Sequence, residues 1–373
     1  MGNGPGGDGY QGDAETFTAF LEEKICAEGV PGLSVAVVKG DRVVWARGFG
    51  LADLATSTPA TSQTGYLWFS MTKIATATAV VRLAEEGRLD LDAPADEYYR
   101  GFKVVSQPTP VSVRHLLGHS SGLADPIPIR WVYPASGPVP DRRAFVERLL
   151  AKNRKLRFAP GERASYSNLG YLVLGEVISE VSGMRYEEYE RKEILVPLGM
   201  KRIGFSYPLL GGEAATGYHP LRPPLIPIFR AALPRGVVGR RQGRYVAFAP
   251  FYVKGPAYGG LIGGVADAAR LVLLHLNGGR VGEMRLLSAA SVAEMQRITP
   301  RGASVISVWA GSAPERPIRS DPLLSSTSAV VPASGTSCAS TRRNLSLGVV
   351  MMGNTTGYDH ESILDEAVRL TWE

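Results

Sequence analysis

The strongest constraint on the fold is a set of matching β-rich runs at opposite ends of the chain. Near the start, Leu33-Ser-Val-Ala-Val-Val-Lys39 and Arg42-Val-Val-Trp-Ala-Arg47 are joined by Gly40-Asp41, a hairpin signal. Near the end, Ser346-Leu-Gly-Val-Val-Met-Met352 is a third such run, followed by a helical pattern over about 361–370. Phe17, Phe20, Leu21 and Ile25 recur at helical spacing, so 14–28 reads as an amphipathic helix. Between these ends the pattern is helical and Ala-rich over 70–87. Helical stretches at 113–117, 142–152, 171–181, 186–194 and 267–274 then alternate with Pro/Gly loops. The expectation is an α+β fold with one antiparallel sheet built from both termini and flanked by helices. Residues 13–65 and 280–373 would form that part, 66–279 a mainly helical lobe, and 1–12 a disordered tail, with the site between the lobes.

Composition narrows the function classes. At 373 residues the chain can hold two sub-domains of ordinary size. It has no run of about 18 apolar residues, so no membrane-spanning helix is expected. The net charge of +6 is spread along the chain; the densest basic stretch, Arg235, Arg240, Arg241 and Arg244, reads as a solvated loop or a polyanion contact. Neither a nucleic-acid nor a membrane partner is expected. Cys26 and Cys338 cannot make a disulfide framework, and no residue cluster suits a metal or calls for a cofactor. Residues 1–12, rich in Gly and Asp, read as a tail rather than a signal peptide, which makes the cytoplasm the expected location.

The chemistry-bearing residues begin at Phe69-Ser70-Met71-Thr72-Lys73, which opens the Ala-rich helix. Ser70 and Lys73, three apart, share a helical face, so the amine can reach the hydroxyl. The positive potential of a helix N-terminus and partial desolvation both lower a lysine pKa, so Lys73 could accept the Ser70 proton. Downstream, Tyr166-Ser167-Asn168 precedes another helix. Tyr166 could shuttle a proton to the leaving group, and Asn168 could hydrogen-bond a substrate carbonyl or Lys73. Gly118-His119-Ser120-Ser121-Gly122 also satisfies the G-x-S-x-G nucleophile elbow. That elbow needs a strand before the serine, whereas 113–117 reads as a helix, so Ser120 is set aside and His115 and His119 are read as structural.

In order and spacing, these motifs resemble the serine β-lactamase/penicillin-binding-protein superfamily, closest to the class C-like branch with the family VIII carboxylesterases. Further matches are Pro31-Gly32-Leu33-Ser34-Val35, Glu86-Gly87-Arg88-Leu89-Asp90-Leu91-Asp92, Val113-Arg114-His115-Leu116-Leu117-Gly118-His119-Ser120-Ser121-Gly122-Leu123, Phe158-Ala159-Pro160-Gly161 and Tyr258-Gly259-Gly260-Leu261. The resemblance implies the two-lobe β-lactamase-like fold, Ser70 as acylated nucleophile, Lys73 as its base and Tyr166 as second acid/base. Asn168, Gly260 and Leu261 would support the substrate. Whether Lys73 or Tyr166 takes the first proton stays open at this level. The implied activity is hydrolysis of small-molecule carboxylic esters with short to medium acyl chains. The alternatives are a β-lactamase or D-Ala-D-Ala peptidase, and a catalytically silent binding or scaffold protein.

One departure stands out. The superfamily's third motif, a Lys-Thr-Gly or His-x-Gly element on an edge strand that completes the oxyanion hole, is missing before 345–354. Residues 303–341 are a Ser- and Pro-rich stretch with little periodicity. Back-translated and read one frame over, 326–341 can spell His-Leu-Gly-Gly-Gly-Ala-Gly-Phe-Trp-Asn-Val-Met-Arg-Ile-Tyr, and 307–311 can spell Gly-Leu-Gly-Trp. The second and third bases of each shifted codon are largely fixed by the residues present. The hypothesis is that 303–341 is translated out of frame between two compensating insertions or deletions.

Overall fold

The computed structural model describes residues 8–296 except 106–107, 127 and 222–224, and residues 347–372 except 356–357. It also describes strand segments at 298–299, 303–304 and 328–330. The two ends of the chain meet in one antiparallel sheet, as the β-rich runs predict. From edge to edge its order is Ser328–Val330, Leu347–Gly353, β1 (Gly32–Lys39), β2 (Arg42–Asp53) and β3 (Thr58–Pro59). The β1–β2 turn is Gly40-Asp41, with Gly40 at φ +62°, the left-handed conformation that a tight hairpin of this kind needs.

β1 is the central strand and is buried from Gly32 to Val38. Its side chains alternate between two cores. Leu33, Val35 and Val37 join Phe17 and Leu21 of α1 (Asp8–Glu28), and Ile363, Leu364 and Trp372 at the C-terminal end. Ala36 and Val38 face the other way, into the large core of the helical region. A one-residue slip would exchange the two sets, so burial on both faces pins the register, which pairs Val35 with Met351 and with Arg47. Asn354, fully buried, ties the sheet together at its end. Its Oδ1 accepts from the Gly32 N–H at 2.7 Å, and its Nδ2 donates to the carbonyls of Leu51 and Ala52.

The large core surrounds α2 (Thr72–Glu85), in which every residue from Thr72 to Val81 is buried. A helix apolar on nearly all sides belongs in an interior. It packs against the helix Asn168–Ser182, whose N-terminus Ser167 caps by accepting the Gly170 N–H at 3.2 Å. The helices expected at 113–117 and 142–152 occupy those residues, capped by Ser112 and Asp141.

Several expectations need correction. α1 starts at Asp8, inside the stretch expected to be tail. The 66–279 region is not helix and loop alone. Gly217–Pro220, Val238–Gln242 and Tyr245–Phe248 form a three-stranded sheet, and Val132–Pro134 pairs with Phe251–Val253. Arg240 and Arg241 therefore lie on a strand rather than in a loop, with their side chains exposed as expected. The Pro-rich stretch 219–229, whose sequence reads as a connecting loop or a lining for an acyl pocket, runs into a helix, Leu225–Ala232. Pro227 falls in its first turn, where no helical N–H is required. The 303–341 hypothesis lies outside the described residues, apart from the short strands at 303–304 and 328–330.

Candidate active site

Ser70 sits in a 3-10 turn, Phe69–Met71, that runs into α2. The turn is anchored from behind. The Trp68 indole donates to the Gly263 carbonyl at 3.0 Å, and its backbone N–H donates to the Leu261 carbonyl at 2.7 Å. Phe69 adopts φ +44°, uncommon for a residue with a side chain. Gly259 permits that conformation by lying flat against it: a Cβ there would fall 3.3 Å from the Phe69 backbone. Of Gly260 and Leu261, both expected to support substrate, Leu261 braces this turn. Their N–H groups are committed to the Pro256 carbonyl (2.8 Å) and to Thr72 Oγ1 (3.1 Å).

Three of the predicted residues meet at one oxygen. Ser70 Oγ lies 2.5 Å from Tyr166 Oη and 3.0 Å from Lys73 Nζ. Lys73 is fully buried one turn along the same face, and its Nζ also donates to the Tyr258 carbonyl at 2.7 Å. The amine is ringed by aromatic faces, those of Tyr166 at 4.9 Å and of Tyr171 and Tyr258 at 5.6 Å. Burial pushes its pKa well below the ordinary lysine value; the Asp125 carboxylate opposes that shift. Burial drives the Tyr166 phenol the other way, further from ionisation, an effect its bond to Ser70 reduces and the charge of Asp125 reinforces.

Asn168 is buried beside this group, but the hydrogen bonds of Lys73 go to Ser70 and Tyr258 rather than to it. The Asn168 N–H donates to Asp125 Oδ1 at 2.9 Å, and its own Oδ1 has no partner among the described residues. Asp125 is thus the carboxylate of the site, its pKa raised by burial against the pull of Asn168 and Lys73. Sequence reasoning missed Asp125, which stands 43 residues from Asn168 and belongs to no spacing pattern. Ser120 is no elbow nucleophile: the helix Val113–Leu117 precedes it where a strand is required. No group of three His, Cys, Asp or Glu side chains among the described residues could hold a metal ion. None of their helices is long and apolar enough to cross a membrane.

A serine hydroxyl gripped by a buried amine and by a phenol, at the mouth of a helix beside an antiparallel sheet, defines a serine hydrolase of the β-lactamase-like fold. The sequence model of the Beta-lactamase family matches residues 14–370, and the chain belongs to that family, within the serine β-lactamase/penicillin-binding-protein superfamily. Among curated proteins it is 27% identical over 312 residues to the "Putative D-alanyl-D-alanine carboxypeptidase" of Salmonella typhimurium, covering 78% of this chain and 70% of that one. Among solved structures it is similar to the octameric penicillin-binding protein homologue from Pyrococcus abyssi. That match has 26% identity and a TM-score of 0.70, covering 95% of this chain and 76% of the other. It also shares its fold with EstCE1, a hydrolase with promiscuous acyltransferase activity, at 21% identity and a TM-score of 0.66, covering 95% and 98%. The D-amino acid amidase of Ochrobactrum anthropi shares it too, at 18% and 0.69, covering 96% and 98%.

Proposed function

We propose that the protein hydrolyses carboxylic esters of short to medium acyl chain through an acyl-Ser70 intermediate. The carrying observation is that Ser70 Oγ is within hydrogen-bond reach of Lys73 Nζ and Tyr166 Oη at once. The directions of the two pKa shifts divide the work. Lys73, its hold on a proton weakened by burial, takes the Ser70 proton as Oγ attacks the acyl carbon. Tyr166, which keeps its proton, gives it to the departing alkoxide, and the Lys73 ammonium then restores the phenol. Deacylation runs the same relay with water in place of the alcohol. An ester suits a site that leans on these two groups, because an alkoxide leaves more readily than an amide nitrogen. Phe69, next to the nucleophile, and Phe251, its ring tilted 42° to that of Phe69 with centroids 6.2 Å apart, offer apolar surface for an acyl chain, and the shared fold with EstCE1 is consistent with this reading.

A second reading, a D-Ala-D-Ala carboxypeptidase, is favoured by the relationship to the Salmonella protein. Turnover of p-nitrophenyl butyrate, nitrocefin and a D-Ala-D-Ala peptide separates the two. A fluorophosphonate is expected to label the parent and Ser120→Ala but not Ser70→Ala. Ester turnover that survives in Ser70→Ala would refute the mechanism; peptide turnover far above ester turnover would move the substrate class.

A further inference from the structure

His119 carries two costs that packing alone does not explain. Its backbone is at φ +53°, one of three non-glycine residues with positive φ among those described. Its ring is buried, and Nε2 has no hydrogen-bond partner among the described residues. A leucine or phenylalanine in ordinary backbone geometry would fill such a space without either cost.

What the strained geometry achieves is a three-point hold on Tyr166. The His119 carbonyl accepts the N–H of Ser165 at 2.8 Å. Its Nδ1 accepts the N–H of Ser167 at 3.1 Å, which fixes the neutral tautomer with the proton on Nε2. Its ring stacks on the Tyr166 ring, with centroids 4.6 Å apart and planes 29° from parallel. The residues on both sides of Tyr166 are thus tied to one residue, and the aromatic ring between them lies on that residue's imidazole. In the left-handed conformation the carbonyl and the side chain of His119 both turn toward the 165–167 segment. Burial and the neighbouring Lys73 amine hold the imidazole at a pKa of about 3, so its acceptor nitrogen stays free of a proton at working pH. Asp125, Tyr171 and Tyr258 share this surrounding, and none of them forms this hold on both neighbours of Tyr166.

We propose that His119 is a positioning residue that sets the Tyr166 hydroxyl at Ser70 Oγ, the Ser167 N–H to Nδ1 bond being the critical contact. This rests on reading Ser70, Lys73 and Tyr166 as the acylation machinery. Two substitutions separate the contacts. His119→Asn puts Oδ1 where Nδ1 stands and tolerates the left-handed backbone, but loses the ring. His119→Phe keeps a flat ring but leaves the Ser167 N–H unpaired.

The experiment measures kcat and KM with p-nitrophenyl butyrate, the rate of Ser70 labelling by a fluorophosphonate, the thermal midpoint, and a crystal structure of each variant. His119→Phe is expected to lose about 10- to 100-fold in kcat and labelling rate with KM within about twofold, as for a misplaced catalytic group. His119→Asn is expected to stay within about threefold of the parent. Tyr166 Oη should remain on Ser70 in the Asn variant and leave it in the Phe variant. Parental kcat in His119→Phe with Tyr166 unmoved overturns the proposal. So does a loss of tenfold or more in folded His119→Asn, which decides the matter alone if the Phe variant does not fold. A parent that fails to label at Ser70 overturns the reading of the site instead, and the two crystal structures still decide what His119 holds.

Discussion

At the scale of residues, the site is governed by where protons rest. If Lys73 acts as a free amine, the acylation rate rises with pH as that amine loses its proton. Because burial lowers its pKa, the midpoint of the rise falls well below the ordinary lysine value of 10.5. The Asp125 carboxylate favours the ammonium form, so Asp125→Asn lowers the Lys73 pKa further and moves the acid limb to lower pH. Asparagine keeps an oxygen for the Asn168 N–H, which leaves the local structure intact. The pH dependence of kcat/KM checks this; a limb that stays put or moves to higher pH would separate Lys73 from the rate. Tyr166→Phe removes only the phenolic oxygen, and a loss of about 10²- to 10⁴-fold in kcat is expected of a general acid. Ser70 and Lys73 were legible in the sequence because one helical turn brings residues three apart together. His119 and Asp125 were not, since the fold alone carries them to Tyr166 and Asn168.

At the scale of elements, legibility followed local chemistry. The helices Val113–Leu117 and Arg142–Lys152 and the Gly40-Asp41 turn have their caps or turn residues within a few positions, and their bounds could be read. The three-stranded sheet within 217–248 and the pairing of 132–134 with 251–253 could not, because their strands are short and each is defined by a partner rather than by its own pattern. The helical pattern over 186–194 concealed a different winding: Tyr186–Tyr189 is α-helical and Glu190–Leu195 is a π-helix. Glu190 is fully buried there, and neither carboxylate oxygen has a hydrogen-bond partner among the described residues. Burial raises its pKa from 4.5 to about 8, with the nearby Tyr186 hydroxyl pulling the other way. The folded chain therefore keeps a proton that the unfolded chain releases above pH 4.5. Stability from this group is full below that pH and declines as pH rises, until Glu190 ionises in the folded state near pH 8. The slope is at most about 1.4 kcal/mol per pH unit. Glu190→Gln removes the decline, so its stability relative to the parent should grow between pH 5 and about pH 8. Urea midpoints at the two ends of that range measure it, and a constant difference would mean that Glu190 titrates normally.

At the scale of the whole molecule, the sheet joins residues more than three hundred positions apart, and its outer edge borders the nucleophile. Leu347–Gly353 lies between β1 and the short strand Ser328–Val330, which runs beside the Phe69–Met71 turn. That strand falls inside the segment whose shifted reading spells a His-x-Gly element, the motif the superfamily places on an edge strand at this site. Its pairing partner is intact in the sequence: Leu347, Val349 and Met351 face one core and Val350 and Met352 the other. A well-patterned strand beside a run with no pattern is what two compensating frame changes leave behind, since everything downstream of the second change is restored. The encoding DNA tests this directly. Third bases across 326–341 that spell the shifted peptide support the frame change, and codons incompatible with it end the idea. The physical counterpart is a comparison of the present chain with one carrying the restored frame. A second oxyanion donor contributes about 10²- to 10³-fold in rate, so the restored chain should label at Ser70 faster by up to that factor, and a completed sheet edge should raise its thermal midpoint. Equal labelling rates and midpoints in the two chains would mean that the residues at 303–341 serve this site as they stand.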